Sequence, residues 1–218
     1  LRKIFGHRGL PRIYKENTFT GINKAYEHCD FVEIDVRLTG DNQLILHHDP
    51  NIGEDLIKNL SLSELDILMK DGSIHDSILV SRDQIHGQVN FEIKTDTLDD
   101  SEVDILFQKM LSIFEPEDIV SSFNWKAIQS FKNLFNCNYG IIFDKEEDLF
   151  EAQALSNHDE ELFFMTHFSL IDRRNFALPK NKTVLWTVNN QDDFQRYMDM
   201  EIYGIMTDIP DTMQLYRK

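Results

Sequence analysis

Eight short apolar runs recur along the chain with helix-patterned segments between most of them. The runs Lys3–Gly6, Phe31–Val36, Gln88–Lys94, Ile119–Phe123, Tyr139–Phe143, Leu162–His167, Thr183–Val188 and Gly204–Thr207 read as strands. Phe19–His28, Asp100–Phe114, Trp125–Phe135, Asp148–Asn157 and Asp192–Met200 read as helices. Ser61-Leu-Ser-Glu64 has the capping-box pattern and opens one more, through about Met69. Alternation of this kind favours a parallel sheet covered by helices. One connection breaks it. Only the six residues Arg37–Asn42 separate the second run from a further extended run, Gln43–His48. A parallel crossover needs about a dozen residues or more. Gln43–His48 is therefore expected to return antiparallel from the end of the second strand.

Eight parallel strands are the number that closes a (β/α)8 TIM barrel. The expected class is α/β, with one domain over 1–218 and a short antiparallel excursion after the second strand. Such barrels run to about 250 residues. With 218 residues, several helices must be short.

A formal charge of −16 argues against a general nucleic-acid surface and against anionic membranes. No apolar stretch reaches the roughly 18 residues that span a bilayer. The chain begins at Leu1, so the lack of a secretory signal says little, and a cytoplasmic location is only the default expectation. Cys29 and Cys137 stand in no metal-ligand spacing and are expected to be buried free thiols. Oligomeric state is not legible.

The chemistry is concentrated in the first fifty residues. In Phe31–Val36 the period of two sends Glu33 and Asp35 to one face and Val32, Ile34 and Val36 to the other. In Asn90–Lys94 it groups Asn90, Glu92 and Lys94 against Phe91 and Ile93. Charges pointing into a barrel are costly unless paired or bound to a metal, and these lie where strands end, at the active face of such barrels. Glu33, Asp35 and Glu92 together form a candidate all-oxygen site for Mg²⁺ or Ca²⁺. His7 and His48 each end an extended run and suit the acid and base roles of phosphodiester cleavage. Alternation points His47 away from His48. Arg8 can hold two phosphate oxygens in a fork. Lys94 either contacts the same phosphate or pairs with a carboxylate. Gly6 and Gly9 permit a tight turn around His7-Arg8. Trp186 either walls the cleft or fills the barrel, and Phe123 is a weaker candidate of the same kind. The other histidines, at 28, 75, 86, 158 and 167, are expected to be structural. The chain has no P-loop, dinucleotide fingerprint, G-x-S-x-G elbow or cysteine-based zinc pattern.

Read in order, Gly6-His-Arg-Gly9, Glu16-Asn-Thr18, Glu33-Ile-Asp-Val36, Leu38-Thr-Gly-Asp41, His48-Asp-Pro50, Phe91-Glu-Ile-Lys94, Ser121-Ser-Phe123, Trp186-Thr-Val-Asn189 and Gly204-Ile-Met-Thr-Asp208 resemble the glycerophosphodiester phosphodiesterases. The resemblance implies a (β/α)8 barrel that cleaves glycerophosphodiesters to an alcohol and glycerol 3-phosphate. It implies metal ligation by Glu33, Asp35 and Glu92, and acid–base catalysis with His48 as acid and His7 as base. It places Arg8 and Lys94 at phosphate-contacting positions and Glu16 and Trp186 along the site, with Asp49 supporting the catalytic loop. The segment Asn51-Ile-Gly-Glu-Asp55 departs from the Asp-Arg-Thr-Thr stretch common in the family. Two rivals stand beside this expectation. One is a lyase-like phospholipase D, akin to the sphingomyelinase D group, that forms a cyclic phosphate from a lysolipid. The other is a non-catalytic barrel that binds a phosphate-containing ligand.

Overall fold

The structure, a computed structural model, describes every residue except Asp71 and Lys218. In chain order its main elements are β1 (Lys3–His7), α1 (Phe19–Ala25), β2 (Phe31–Leu38), β3 (Leu44–Leu46), β4 (Asn51–Ile52), β5 (Asp55–Leu56), α2 (Leu62–Leu68) and β6 (Gln88–Ile93). There follow α3 (Asp100–Met110), β7 (Ile119–Ser122), α4 (Trp125–Phe131), β8 (Asn138–Phe143), α5 (Leu149–Ser156), β9 (Phe163–His167), β10 (Thr183–Trp186), α6 (Gln191–Met198), β11 (Gly204–Thr207) and α7 (Pro210–Met213).

The strand order β1-β11-β10-β9-β8-β7-β6-β2 is closed by a β1–β2 pairing, and all eight neighbours run parallel. This is the expected (β/α)8 barrel. β3 lies antiparallel on β2, with Val36 opposite Leu46 and Leu38 opposite Leu44, as the short Arg37–Asn42 connection requires. Helices are short, as the chain length demands: α3, at 11 residues, is the longest among the described residues. It stops at Met110 rather than Phe114, and α4 gives way to a 3₁₀ turn at Lys132. The segment that departs from the family pattern forms a small hairpin of β4 and β5. Gly53 takes φ +63° at its turn, a conformation that glycine adopts freely.

Local chemistry sets several boundaries. The Thr18 hydroxyl accepts from Gly21 N and caps α1. Ser61 and Glu64 form the capping box of α2, and Asp99 caps α3 by accepting from Ser101 N and Glu102 N. Outside the sheet, Val32, Ile34, Phe91 and Ile93 pack under helices, and Phe91 meets Phe114 edge-on at 5.5 Å.

The inside of the barrel is split into two layers. Phe5, Phe31, Ile119, Ile142, Phe163, Met165, Val184 and Met206 form an apolar plug, with Phe5 stacked on Phe31 at 4.7 Å. Two residues further along the same strands stand His7, Glu33, Ser121, His167 and Trp186. The period of two thus carries each strand from packing to polar chemistry. Cys29 and Cys137 are free. No helix among the described residues is long and apolar enough to cross a membrane.

At the opposite end of the barrel, fully buried Asp118 accepts from Arg82 Nε (2.8 Å), Arg82 Nη2 (2.8 Å), Val89 N (3.0 Å) and Glu115 N (3.0 Å). Removing one partner strands a nearly buried guanidinium. Asp118→Ala is expected to cost about 3–5 kcal/mol in denaturant unfolding. A loss below about 1 kcal/mol, the range of an exposed ion pair, would show that water replaces the carboxylate there.

Candidate active site

The site grows from the turn after β1. A Cβ on Gly6 would sit 2.6 Å from Gly9 O, and Gly9 has φ +94°. Between them Arg8 also takes a left-handed conformation, φ +55°. That strain aims its N–H at Glu33 Oε2 (2.9 Å) and its carbonyl at Asn17 N (3.1 Å). Asn17, left-handed at φ +56°, clasps Asp35 from both sides. Its Nδ2 donates to Asp35 Oδ2 at 2.8 Å and its Oδ1 accepts from Asp35 N at 3.0 Å. The Arg8 side chain spans Glu16, with Nη1 3.2 Å from each carboxylate oxygen, and Asp35, with Nε 3.4 Å from Oδ2.

Strand register assembles the carboxylates. His7 lies beside Glu33 and Glu33 beside Asn90, while Asp35 lies beside Glu92. Ligand oxygens of Glu33, Asp35 and Glu92 fall within 4.8 Å of one another. Lys94 Nζ stands 3.0 Å from Asp35 Oδ1 and also pairs with Glu92, so its carboxylate-pairing reading holds in this state. Burial and then Asp35 push Glu33 up to about 8. Burial opposes ionisation of Asp35 too, but Lys94 and Arg8 outweigh it and hold this carboxyl below its usual range. Burial raises Glu92 against the pull of Lys94. Glu33 is 1% exposed, yet its Oε1 has no hydrogen-bond partner. Two buried acids and a nearly buried third, with oxygens on Glu33 and Asp35 that make no hydrogen bond, fit a hard divalent cation.

The histidines flank this cluster. His7 Nδ1 donates to Asp208 Oδ1 at 2.6 Å, and its Nε2 lies 3.9 Å from Glu33 Oε2. Burial favours neutral His7, but the Asp208 hydrogen bond and the Glu33 charge prevail and raise it. Asn189 fixes Asp208 by donating to Oδ2 (2.6 Å) and accepting from Asp208 N (2.9 Å). His48 Nδ1 donates to Asp49 Oδ1 at 2.7 Å. The buried Arg37 guanidinium donates to the His48 carbonyl from Nε (2.9 Å) and to Asp96 Oδ1 from Nη1 (2.7 Å). Burial, the largest influence on His47, pushes it below the usual histidine value.

Two cavities open here. The inner one, about 200 Å³, is lined by His7, Arg8, Asn90 and Trp186 over an apolar floor. The outer one, about 420 Å³, is lined by Arg37, Pro50, Thr95 and Asp96. His48, Glu92, Lys94 and Phe123 border both. Trp186 therefore walls a cleft, its ring edge-on to Phe123 at 6.1 Å and to His167 at 5.6 Å.

All ten residues singled out from the sequence come together at this end of the barrel. Four partners were not assigned a role there: Asn17, Arg37, Asn189 and Asp208. Arg37 could have been found, since it continues the alternation of Glu33 and Asp35. The other three sit inside motif pieces that carry the family resemblance, and nothing in their spacing reveals which residue each would hold.

Two histidines beside a carboxylate-lined cleft, at the C-terminal face of the barrel, are side chains of the kind that a phosphoric diester hydrolase needs. The chain belongs to the glycerophosphoryl diester phosphodiesterase family, whose model matches residues 7–212. A glycerophosphodiester phosphodiesterase from Caldanaerobacter subterraneus subsp. tengcongensis is 27% identical, over 99% of this chain and 98% of its own length. One from Bacillus altitudinis is 23% identical, over 97% and 96%. The fold matches a glycerophosphodiester phosphodiesterase crystal structure from Thermotoga maritima with TM-score 0.76, at 23% identity over 100% and 99% of the two chains. It also matches an Oleispira antarctica phosphodiesterase, solved with its product sn-glycerol-3-phosphate, with TM-score 0.78 at 20% identity over 99% and 96%.

Because Asp208 raises the His7 pKa, Asp208→Asn is expected to lower it in the metal-free protein, read by NMR titration of the ring. The stabilisation from this pair is full below the ordinary histidine value of 6.5 and is lost as pH rises through the folded value. An unchanged His7 titration in the variant would show that Asp208 does not raise it.

Proposed function

We propose that this barrel, acting as one domain over the whole chain, hydrolyses glycerophosphodiesters to an alcohol and glycerol 3-phosphate with a divalent cation and two histidines. One observation carries the reading. His48 borders both cavities, whereas His7 borders only the inner one. A phosphate at their junction, beside Lys94 and Glu92, has its glycerol half inward and its leaving alcohol outward. His48 is then placed to give a proton to the departing alkoxide, and His7 to take one from the nucleophile. Asp208 and Asp49 occupy the two Nδ1 atoms, leaving each Nε2 to exchange protons. The P–O bond to the outer alcohol breaks as the nucleophile's bond to phosphorus forms. The product bound in the Oleispira antarctica relative supports the same product here. The inner cavity, smaller than the roughly 300–1,000 Å³ of drug-sized sites, suits a bare glycerol better than an acylated one. That favours the diesterase over the lysolipid reading.

Glu33, Asp35 and Glu92 are the residues to hold the cation. Bound Mg²⁺ or Ca²⁺ supplies positive charge to a phosphate oxygen. Arg8 and Lys94 add fixed positive charge, with Glu16 and Asp35 setting the Arg8 fork and Trp186 closing the inner wall.

Phosphorus NMR of glycerophosphodiesters and lysophospholipids, with and without Mg²⁺ or Ca²⁺, tests the reading. The expected product is glycerol 3-phosphate, formed only with metal. A transient cyclic phosphate would assign attack to a glycerol hydroxyl, and its absence would assign it to water. A persistent cyclic phosphate from lysolipids alone would replace the diesterase by the lyase. His7→Ala or His48→Ala should reduce turnover by about 10²–10⁴-fold. The His48 loss should shrink with a p-nitrophenol leaving group, which needs no proton. Near-wild-type turnover of either variant removes that histidine from the mechanism.

Metal linkage has a definite sign. A carboxyl raised from 4.5 to about 8, as Glu33 is, holds a proton in the folded state that the unfolded chain has lost. The metal-free fold therefore loses stability as pH rises through that window. Mg²⁺ or Ca²⁺ should raise Tm more at pH 8 than at pH 5, and Glu33→Gln should abolish most of the difference. Equal shifts at both pH values would place the cation elsewhere.

A further inference from the structure

Two buried N–H groups in the inner cavity have nothing to donate to. Asn90, 1% exposed, lies on the inward face of β6 two residues below Glu92. Ser121 Oγ, 3.0 Å away, engages one end of its amide, and Nδ2 at the other end has no partner. Turning the amide round changes nothing essential, since one polar end stays free. The indole Nε1 of Trp186 is also buried without a partner. Both residues line the same cavity of about 200 Å³. Their strands, β6 and β10, are four places apart in the ring of eight, so the two residues line the cavity from opposite walls of the barrel.

Ile142, Met165 and Met206 in the same lining offer no side-chain oxygen. The acid–base pair and the carboxylate cluster make no use of Asn90 or of the indole N–H. A buried donor left unpaired is destabilising, and a hydrogen bond made to it in an apolar surrounding is stronger than one made in water. Paired donors between an apolar floor and a charged rim match a short polyol esterified to phosphate. Its phosphate meets the rim and its hydroxyl oxygens reach the donors.

We propose that Asn90 and Trp186 read the hydroxyl groups of the substrate's glycerol half, and that Asn90 selects a hydroxylated phosphoester over a plain alkyl one. This rests on the glycerophosphodiester reading above. A site that hydrogen-bonds a ligand hydroxyl discriminates strongly against an analogue lacking it, because its own polar groups are then stranded.

The test measures binding as well as turnover. Glycerol 3-phosphate and n-propyl phosphate, which differ in the two hydroxyls, are titrated calorimetrically into wild-type, Asn90→Leu and Trp186→Phe proteins with saturating Mg²⁺. Wild type is expected to favour glycerol 3-phosphate by about tenfold or more. Asn90→Leu should remove most of that preference while keeping its affinity for propyl phosphate. Trp186→Phe, which keeps a ring and loses the N–H, should reduce the preference in the same direction and serves if Asn90→Leu fails to fold. A wild-type protein without the preference, or one whose preference survives in the folded variants, overturns the proposal; the donors then hold ordered water. Parallel turnover of glycerophosphodiesters separates the two readings. Preference without turnover defeats the diesterase and leaves hydroxyl recognition standing, whereas turnover with the preference unchanged in the variants defeats hydroxyl recognition alone.

Discussion

The burial of three carboxylates in the mouth of one barrel is the constraint around which this end of the molecule is arranged. Glu33 and Asp35 are almost wholly inaccessible and Glu92 nearly so, with facing oxygens within 4.8 Å. Such a cluster repels itself and loses its hydration together. The chain answers with Lys94 and Arg8, with the Arg8 backbone N–H on Glu33, and with Asn17 holding Asp35 at two points. Two left-handed residues, Arg8 and Asn17, are retained to make those contacts. Even so, one Glu33 oxygen is left unpaired.

The apolar plug below makes the cluster tenable. Phe5, Phe31, Phe163, Met165 and Met206 fill the lower barrel, so the polar layer rests on packed side chains rather than on a water-filled pore. The layers are chemically opposite yet come from the same strands, two residues apart. His7 and His48 then gain different neighbours through topology. His7 belongs to the barrel wall and is fixed by Asp208 from β11's end. His48 belongs to the excursion and is held by Arg37 through its carbonyl and by Asp49 through its ring.

Much of this was legible in advance because it depends on short-range geometry. Six residues between Val36 and Gln43 are too few for a parallel crossover, and β3 is antiparallel. The alternation in Asn90–Lys94 sends Phe91 to the helices and Glu92 inward. Helix ends were less legible. The apolar pattern of Asp100–Phe114 continues past Met110, where packing, with Phe114 turned onto Phe91, overrides the local preference for helix. The hairpin at Asn51–Leu56 had no strand signal beyond a glycine.

By itself the sequence determined the parallel barrel, its antiparallel excursion, the inward face of each charged strand and the carboxylates and histidines of a phosphodiesterase-family site. Those follow from periodicity and connection length, which act over a few residues. Only the tertiary structure decided the partners. Asn17 meets Asp35 across 18 residues, Arg37 meets Asp96 across 59, and Asp208 meets His7 across 201. Barrel closure brings such residues together through the stagger of strands that are distant in sequence. Which carboxylate is held ionised, which retains its proton and which amide is left free in the inner cavity are outcomes of that packing.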